Sequence, residues 1–216
     1  MAGAMENPER NADVLRQKIE EFLAKKDFRA AVVECEELEI LTAPAPFGDE
    51  AEKWAKVHLA LLLILDDVNN GRHLWRRLPS SAKGEGSEMA ALWGVGKFIW
   101  NREMKEAQTA LKGREWSADV APLATLLQQR LWVRQVNIIS KAFTSLPLER
   151  VASMLGCGLD DAEKECARLG WMVEAEGSRI VTPTCMKSAD PIPSTTPDYL
   201  QKMARHISFL ERQNQG

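Results

Sequence analysis

Apolar positions recur every three or four residues along most of this chain. Val14, Leu15, Lys18, Ile19, Phe22 and Leu23 form an amphipathic stripe that ends near Lys26. Recurrence at that period marks an amphipathic helix, because such residues share one helical face. Asp27 stands where a cap belongs, ahead of a second stripe of Phe28, Ala31, Val32, Cys35, Leu38 and Leu41. Pro44 and Pro46 break the pattern. Residues 50–67 predict a third helix, apolar nearly all round in its second half, and therefore central. Asn69-Asn70-Gly71 predicts a turn, followed by a short helix over 71–78 and a loop over 79–86. Residues 87–101 and 104–111 predict a helix pair. Ser117 is expected to cap the longest helix, which tolerates Pro122 near its start and runs to about Phe143. No strand signal precedes Leu146. Paired helices with short turns predict stacked helical hairpins, resembling an α-solenoid, over residues 12–143, after a disordered stretch at 1–11.

The pattern changes over residues 144–185. Pro147 fits the first turn of a short helix that carries Leu148, Val151, Ala152 and Leu155 on one face. Gly156 can end it and Gly158 can cap the next, whose first turn holds Asp160 and Asp161, where the helix dipole favours carboxylates. Residues 171–175 and 179–182 read as strands around Glu176-Gly177-Ser178. Helix, turn, helix and hairpin make a winged helix. A Pro, Ser and Thr-rich linker (186–195) and a last helix (196–213) complete a mainly α architecture. Tyr199, Met203, His206, Ile207 and Leu210 lie along a seam of that last helix.

Charge alters what a winged helix suggests. The second helix carries Asp160, Asp161, Glu163 and Glu165 against Lys164 and Arg168, so its surface is net negative. Binding to phosphates draws most of its affinity from clustered Lys and Arg. The chain as a whole has a formal charge of -3, which supplies no global basic field. The winged helix is therefore a poor reader of nucleic acid and a better protein-contact module. Hydrophobic content of 45% supports a sizeable core in one or two domains. Cys35, Cys157, Cys166 and Cys185 form no C-x-x-C pair and read as small buried thiols of a reducing compartment. No signal peptide is visible, and the apolar run at 59–65 is far short of a bilayer span, so a soluble intracellular protein is expected.

No catalytic motif survives inspection. Gly94-Val95-Gly96-Lys97 lacks the earlier glycine and the following Ser or Thr of a phosphate loop; Ala91 and Phe98 stand there. Its glycines are instead expected to permit close helix contact beside Trp93 and Trp100, with Trp93 buried. His58, His73 and His206 show no zinc spacing, and His58 reads as a core histidine. No G-x-S-x-G elbow supports a serine nucleophile. The expectation is no catalytic residue, no metal and no cofactor. The tryptophans read as packing between helical hairpins, some of them as interface anchors, and Arg72, Arg76 and Arg77 as a solvated basic patch.

Arg72-His73-Leu74-Trp75-Arg76-Arg77-Leu78-Pro79, then Ala91-Leu92-Trp93-Gly94-Val95-Gly96 with Trp100, then Trp116-Ser117, resemble the PCI family of the proteasome lid, the COP-nine signalosome and translation initiation factor three. Leu155-Gly156 through Asp160-Asp161 to Gly170-Trp171 carries the resemblance into the winged helix. The match is closest to the branch of the small signalosome subunits. The resemblance implies a non-catalytic assembly subunit of the complex that removes the ubiquitin-like modifier Nedd from cullin-RING ubiquitin ligases, found in nucleus and cytoplasm. Its implied partners are the other signalosome subunits, and cullin-RING ligases through the complex, with no nucleic acid and no membrane. It implies winged helices joined edge to edge, which puts Trp171, Val173, Ile180 and Val181 at a protein interface. It also implies C-terminal helices gathered in a bundle, through Tyr199, Met203, His206, Ile207 and Leu210. The lid and initiation-factor branches remain the alternatives, with a winged-helix nucleic-acid binder behind them.

Overall fold

The computed structural model describes residues 8–174 and 179–183, all within one unit that ends at Thr184. Helices α1 (Pro8–Lys25) and α2 (Phe28–Thr42) form a first hairpin. Helices α3 (Asp49–Ile64) and α4 (Val68–Arg77) form a second, followed by a 3₁₀ turn at Ser80–Lys83. Helices α5 (Glu88–Asn101) and α6 (Met104–Lys112) form a third, and the long α7 (Ala121–Ala142) closes the array. The start of α1 at Pro8 corrects the expected disorder through residue 11. A proline suits a first turn, Glu9 follows it there, and Ala12 already sits in the core.

Local capping explains where the helices begin. Asp27 Oδ1 accepts a hydrogen bond from the Ala30 N–H at 3.2 Å, as its position suggested. The Asn69-Asn70-Gly71 segment is not a turn. Asp67 Oδ1 accepts from the Asn70 N–H at 3.0 Å and Oδ2 from its side-chain amide at 2.7 Å, so α4 starts at Val68 and runs through all three residues. Gly71 serves packing there, because a Cβ would lie 3.4 Å from Leu59 across the helix contact. Ser117 does not cap α7. Its carbonyl accepts from the Val120 and Ala121 N–H groups, and its own N–H donates to Glu88 Oε1 at 2.6 Å. The helix begins four residues later, with Pro122 in its first turn.

Every residue from Val57 to Ile64 is buried, and α3 packs on α2, α4, α5 and α7. The predicted central helix is thus the centre of the array. A second core gathers Val136 and Ile139 of α7 with Leu148, Val151, Cys166 and Trp171. It belongs to β1 (Leu146–Pro147), α8 (Leu148–Leu155), α9 (Leu159–Arg168), β2 (Met172–Glu174) and β3 (Ile180–Thr182). The strands pair antiparallel in the order β1-β3-β2, which with α8 and α9 is the arrangement of a winged helix. Pro147, expected inside a helix, lies in β1 opposite Ile180 and caps α8.

The tryptophans divide. Trp54 and Trp171 are buried, whereas Trp100 is 56% exposed. Trp93 was expected in the core but is only half-buried, stacked on Trp75 with ring centroids 6.0 Å apart. The two glycines beside it also differ. A Cβ on Gly96 would stand 3.1 Å from Leu63 of α3, while one on Gly94 would meet nothing within 4 Å. Gly94→Ala should therefore stabilise the protein by about 0.5–1 kcal/mol through helix propensity. Gly96→Val should destabilise it by about 1–3 kcal/mol through overpacking. Urea unfolding measures both, and equal effects would contradict the close approach of α3 and α5.

Candidate interaction surfaces

The winged helix places its expected interface residues unequally. Trp171 and Val181 are buried in its core, where they hold the sheet together, and not on its surface. Val173 and Ile180 are half-buried. Val181 pairs with Val173 on one side and Leu146 on the other, so β3 is the middle strand and has no free edge. One outer edge is β1, two residues long, and its Pro147 has no N–H to offer a further strand. The other is β2, which among the described residues pairs only with β3. Met172 on β2 is 66% exposed, and Glu174 is exposed beside it. An unpaired edge carrying an exposed apolar side chain is a surface suited to strand addition. Nothing in the sequence pattern singled out Met172, because the edge depends on β1. Tyr199, Met203, His206, Ile207 and Leu210 lie outside the described residues.

The charges around α9 are mutually consumed. Lys164 lies 3.7 Å from Asp161, Arg168 2.8 Å from Glu165, and Arg179 of the wing 3.1 Å from Glu163. Arg168 also covers the Trp132 ring at 5.0 Å. Such exposed pairs contribute little stability, about 0–1 kcal/mol each. Their consequence is electrostatic: Lys164, Arg168 and Arg179 already have carboxylate partners, which deepens the net negative character that the sequence count gave this surface.

Buried ionisable groups are arranged for inertness. His58 of α3 is 3% exposed, its Nδ1 3.7 Å from Glu39 Oε2, and Nε2 makes no hydrogen bond to the described residues. Burial pushes the imidazole down to about 4, against the pull of Glu39 and with a smaller push from Arg77. Glu39 is committed to Arg77, which donates to both carboxylate oxygens at 2.7 and 2.8 Å. Burial likewise pushes the Cys35 thiol up to about 12, with Glu36, Glu34 and Glu39 adding to it, and the Cys166 thiol up to about 11. Thiols held protonated are poor nucleophiles. Among the described residues, no group of His, Cys, Asp and Glu is placed to hold a metal ion, and no helix is long and apolar enough to cross a membrane.

A stack of helical hairpins followed by a winged helix, with an acidic second helix and, among the described residues, one open strand edge, defines a PCI-type fold. The chain belongs to the CSN8/PSMD8/EIF3K family, whose model matches residues 51–190, from α3 through the winged helix. It is 31% identical over 170 residues to COP9 signalosome complex subunit 8 of Danio rerio, covering 77% of this chain and 87% of that one. The Xenopus laevis protein of the same name is 29% identical over 187 residues, covering 85% and 92%. The Arabidopsis thaliana protein of that name is 24% identical over 194 residues, covering 89% and 97%.

His58 makes stability depend on pH. The unfolded imidazole takes a proton near 6.5 and the folded one only near 4, so the unfolded state binds more protons between those values. Stability should fall as pH drops through that window. Between pH 7 and 4.5 the loss from this group should be about 2–3 kcal/mol. Urea unfolding of wild type and His58→Leu at both pH values measures it. Identical pH dependence in the two proteins would contradict a neutral buried imidazole.

Proposed function

We propose that this chain is a non-catalytic assembly subunit of a COP9 signalosome, the complex that removes the ubiquitin-like modifier Nedd from cullin-RING ubiquitin ligases. Similarity to signalosome subunits over most of both chains supports this reading above the lid and initiation-factor branches of the same family. The observation that carries the contact mode is the open β2 edge beside an acidic helix. In this reading the chain holds neighbouring subunits in place while another subunit performs the cleavage. A neighbouring winged helix adds a strand to β2, with Met172 and Val173 at the contact and Trp171 and Val181 supporting it from below. The last helix, through Tyr199, Met203, His206, Ile207 and Leu210, docks in a bundle with helices of other subunits.

The correct probe of the edge is Met172. Val181 is unsuitable, because a change in the middle strand removes the wing itself. Met172→Asp should weaken binding to co-expressed PCI subunits by about tenfold or more, the scale of a central interface residue, with the melting temperature unchanged. Wild-type affinity in that variant would exclude the β2 edge as the contact. Truncation after Ser194 should leave the melting transition of the remaining chain in place while preventing stable incorporation into the complex. An unfolded truncation product would show that the last helix belongs to the chain's own core.

A further inference from the structure

We propose that a groove between the α1–α2 corner, the C-terminal end of α3 and the second half of α7 docks an acidic amphipathic helix of a partner protein. The groove encloses about 860 Å³. Its apolar lining includes Ile64 and Leu65 of α3 and Val133 and Ile138 of α7. Val133 is exposed, a large apolar side chain left without cover. The charged lining is Lys26, Arg29, Arg130, Arg134 and Lys141 against the single carboxylate of Asp27.

That carboxylate is occupied in capping α2. Arg134 is held by Asp66, and Arg130 lies over the Phe28 ring at 5.9 Å. Lys26, Arg29 and Lys141 are exposed and have no ion-pair partner among the described residues. On a chain of net charge -3 this is a local excess of positive charge. It is also presented by fixed backbone. Lys26 adopts a left-handed conformation, φ 58°, at the α1–α2 corner, where its N–H donates to Leu23 O at 3.1 Å and the Asp27 N–H to Phe22 O at 2.9 Å. Lys141 and Arg130 ride on α7 itself.

Two features together select the occupant. Positive charge alone would suit any polyanion, but phosphates gain nothing from Ile64, Val133 and Ile138. A helix with carboxylates flanking an apolar stripe satisfies both the rim and the floor. From Arg130 to Lys141 the groove follows α7 for about 16 Å, room for about three turns of a partner helix. None of its lining residues belongs to the winged-helix sheet, so the surface is separate from the β2 edge and does not depend on which complex takes up the chain.

The test uses the full chain and a fluorescent synthetic peptide, a helix of about four turns with glutamates flanking a leucine stripe, read by fluorescence anisotropy. Lys26→Glu, Arg29→Glu and Lys141→Glu combined should weaken binding by about tenfold or more, and added salt should weaken wild-type binding. Val133→Asp alone should also weaken it, with all variants keeping the wild-type melting temperature. A control peptide with serines in place of the leucines should bind poorly. Unchanged affinity in the charge variant would overturn the groove. Equal binding of the serine peptide, or full competition by inorganic tripolyphosphate with Val133→Asp harmless, would overturn the helix and leave a simple anion patch.

Discussion

One helix belongs to two hydrophobic cores, and the rest of the molecule depends on it. The first half of α7 puts Leu123, Leu127 and Leu131 into the core of the helical array. Its second half puts Val136 and Ile139 into the core of the winged helix. Over 22 residues, about 33 Å, it cannot bend at the junction without exposing one set or the other. A second tie lies beside it. Gly156, at φ 69°, ends α8 against α6, where a Cβ would stand 3.1 Å from the Lys105 Cα and 3.2 Å from Gln108. Gln108 in turn donates to the Gln128 carbonyl of α7 at 3.3 Å. The winged helix is therefore a fixed continuation of the array, and the β2 edge is held at one place and angle relative to it. Such rigidity is what the proposed assembly role needs.

Polar chemistry divides between the interior and the surface. Three groups that could react are buried and held in unreactive forms, a neutral imidazole at His58 and protonated thiols at Cys35 and Cys166, while His73 is exposed and Cys157 half-buried. Groups that could recognise are outside and separated by sign. The winged helix turns a carboxylate-rich helix outward, with its cations already paired. The opposite sign collects where α7 meets the α1–α2 corner. The half-buried Lys56 pairs with Glu52 one turn earlier in α3 at 3.2 Å and with Glu88 at 3.1 Å, and the second of these pairs ties α3 to α5.

The helices of the array were legible in the sequence because their information is local. A stripe of apolar residues needs only its own period, and Asp27 needs only the helix that follows it. The centrality of α3 was legible for the same reason, since a helix apolar on all sides has nowhere else to go. Strand β1 was not legible. Two residues show no alternation, and Leu146 finds its partner only at Val181, at the far side of two helices. That omission shifted the expected interface onto Val181, which the structure buries, and hid the exposed Met172. Asn69-Asn70-Gly71 and Ser117 carried good local turn and cap chemistry. Asp67 overrode the first by capping α4 early. The bond from Ser117 to Glu88 drew the second into contact with α5. The basic groove was invisible for a related reason, since its cations come from the α1–α2 corner and from α7, brought together only by folding.

The most direct test is the company the chain keeps in cells. The tagged full-length protein would be isolated from native cells at physiological salt and its stoichiometric partners identified by mass. The proposed function predicts the remaining subunits of a COP9 signalosome. Recovery of proteasome-lid or initiation-factor-three subunits in their place, or of the chain alone, would contradict that assignment.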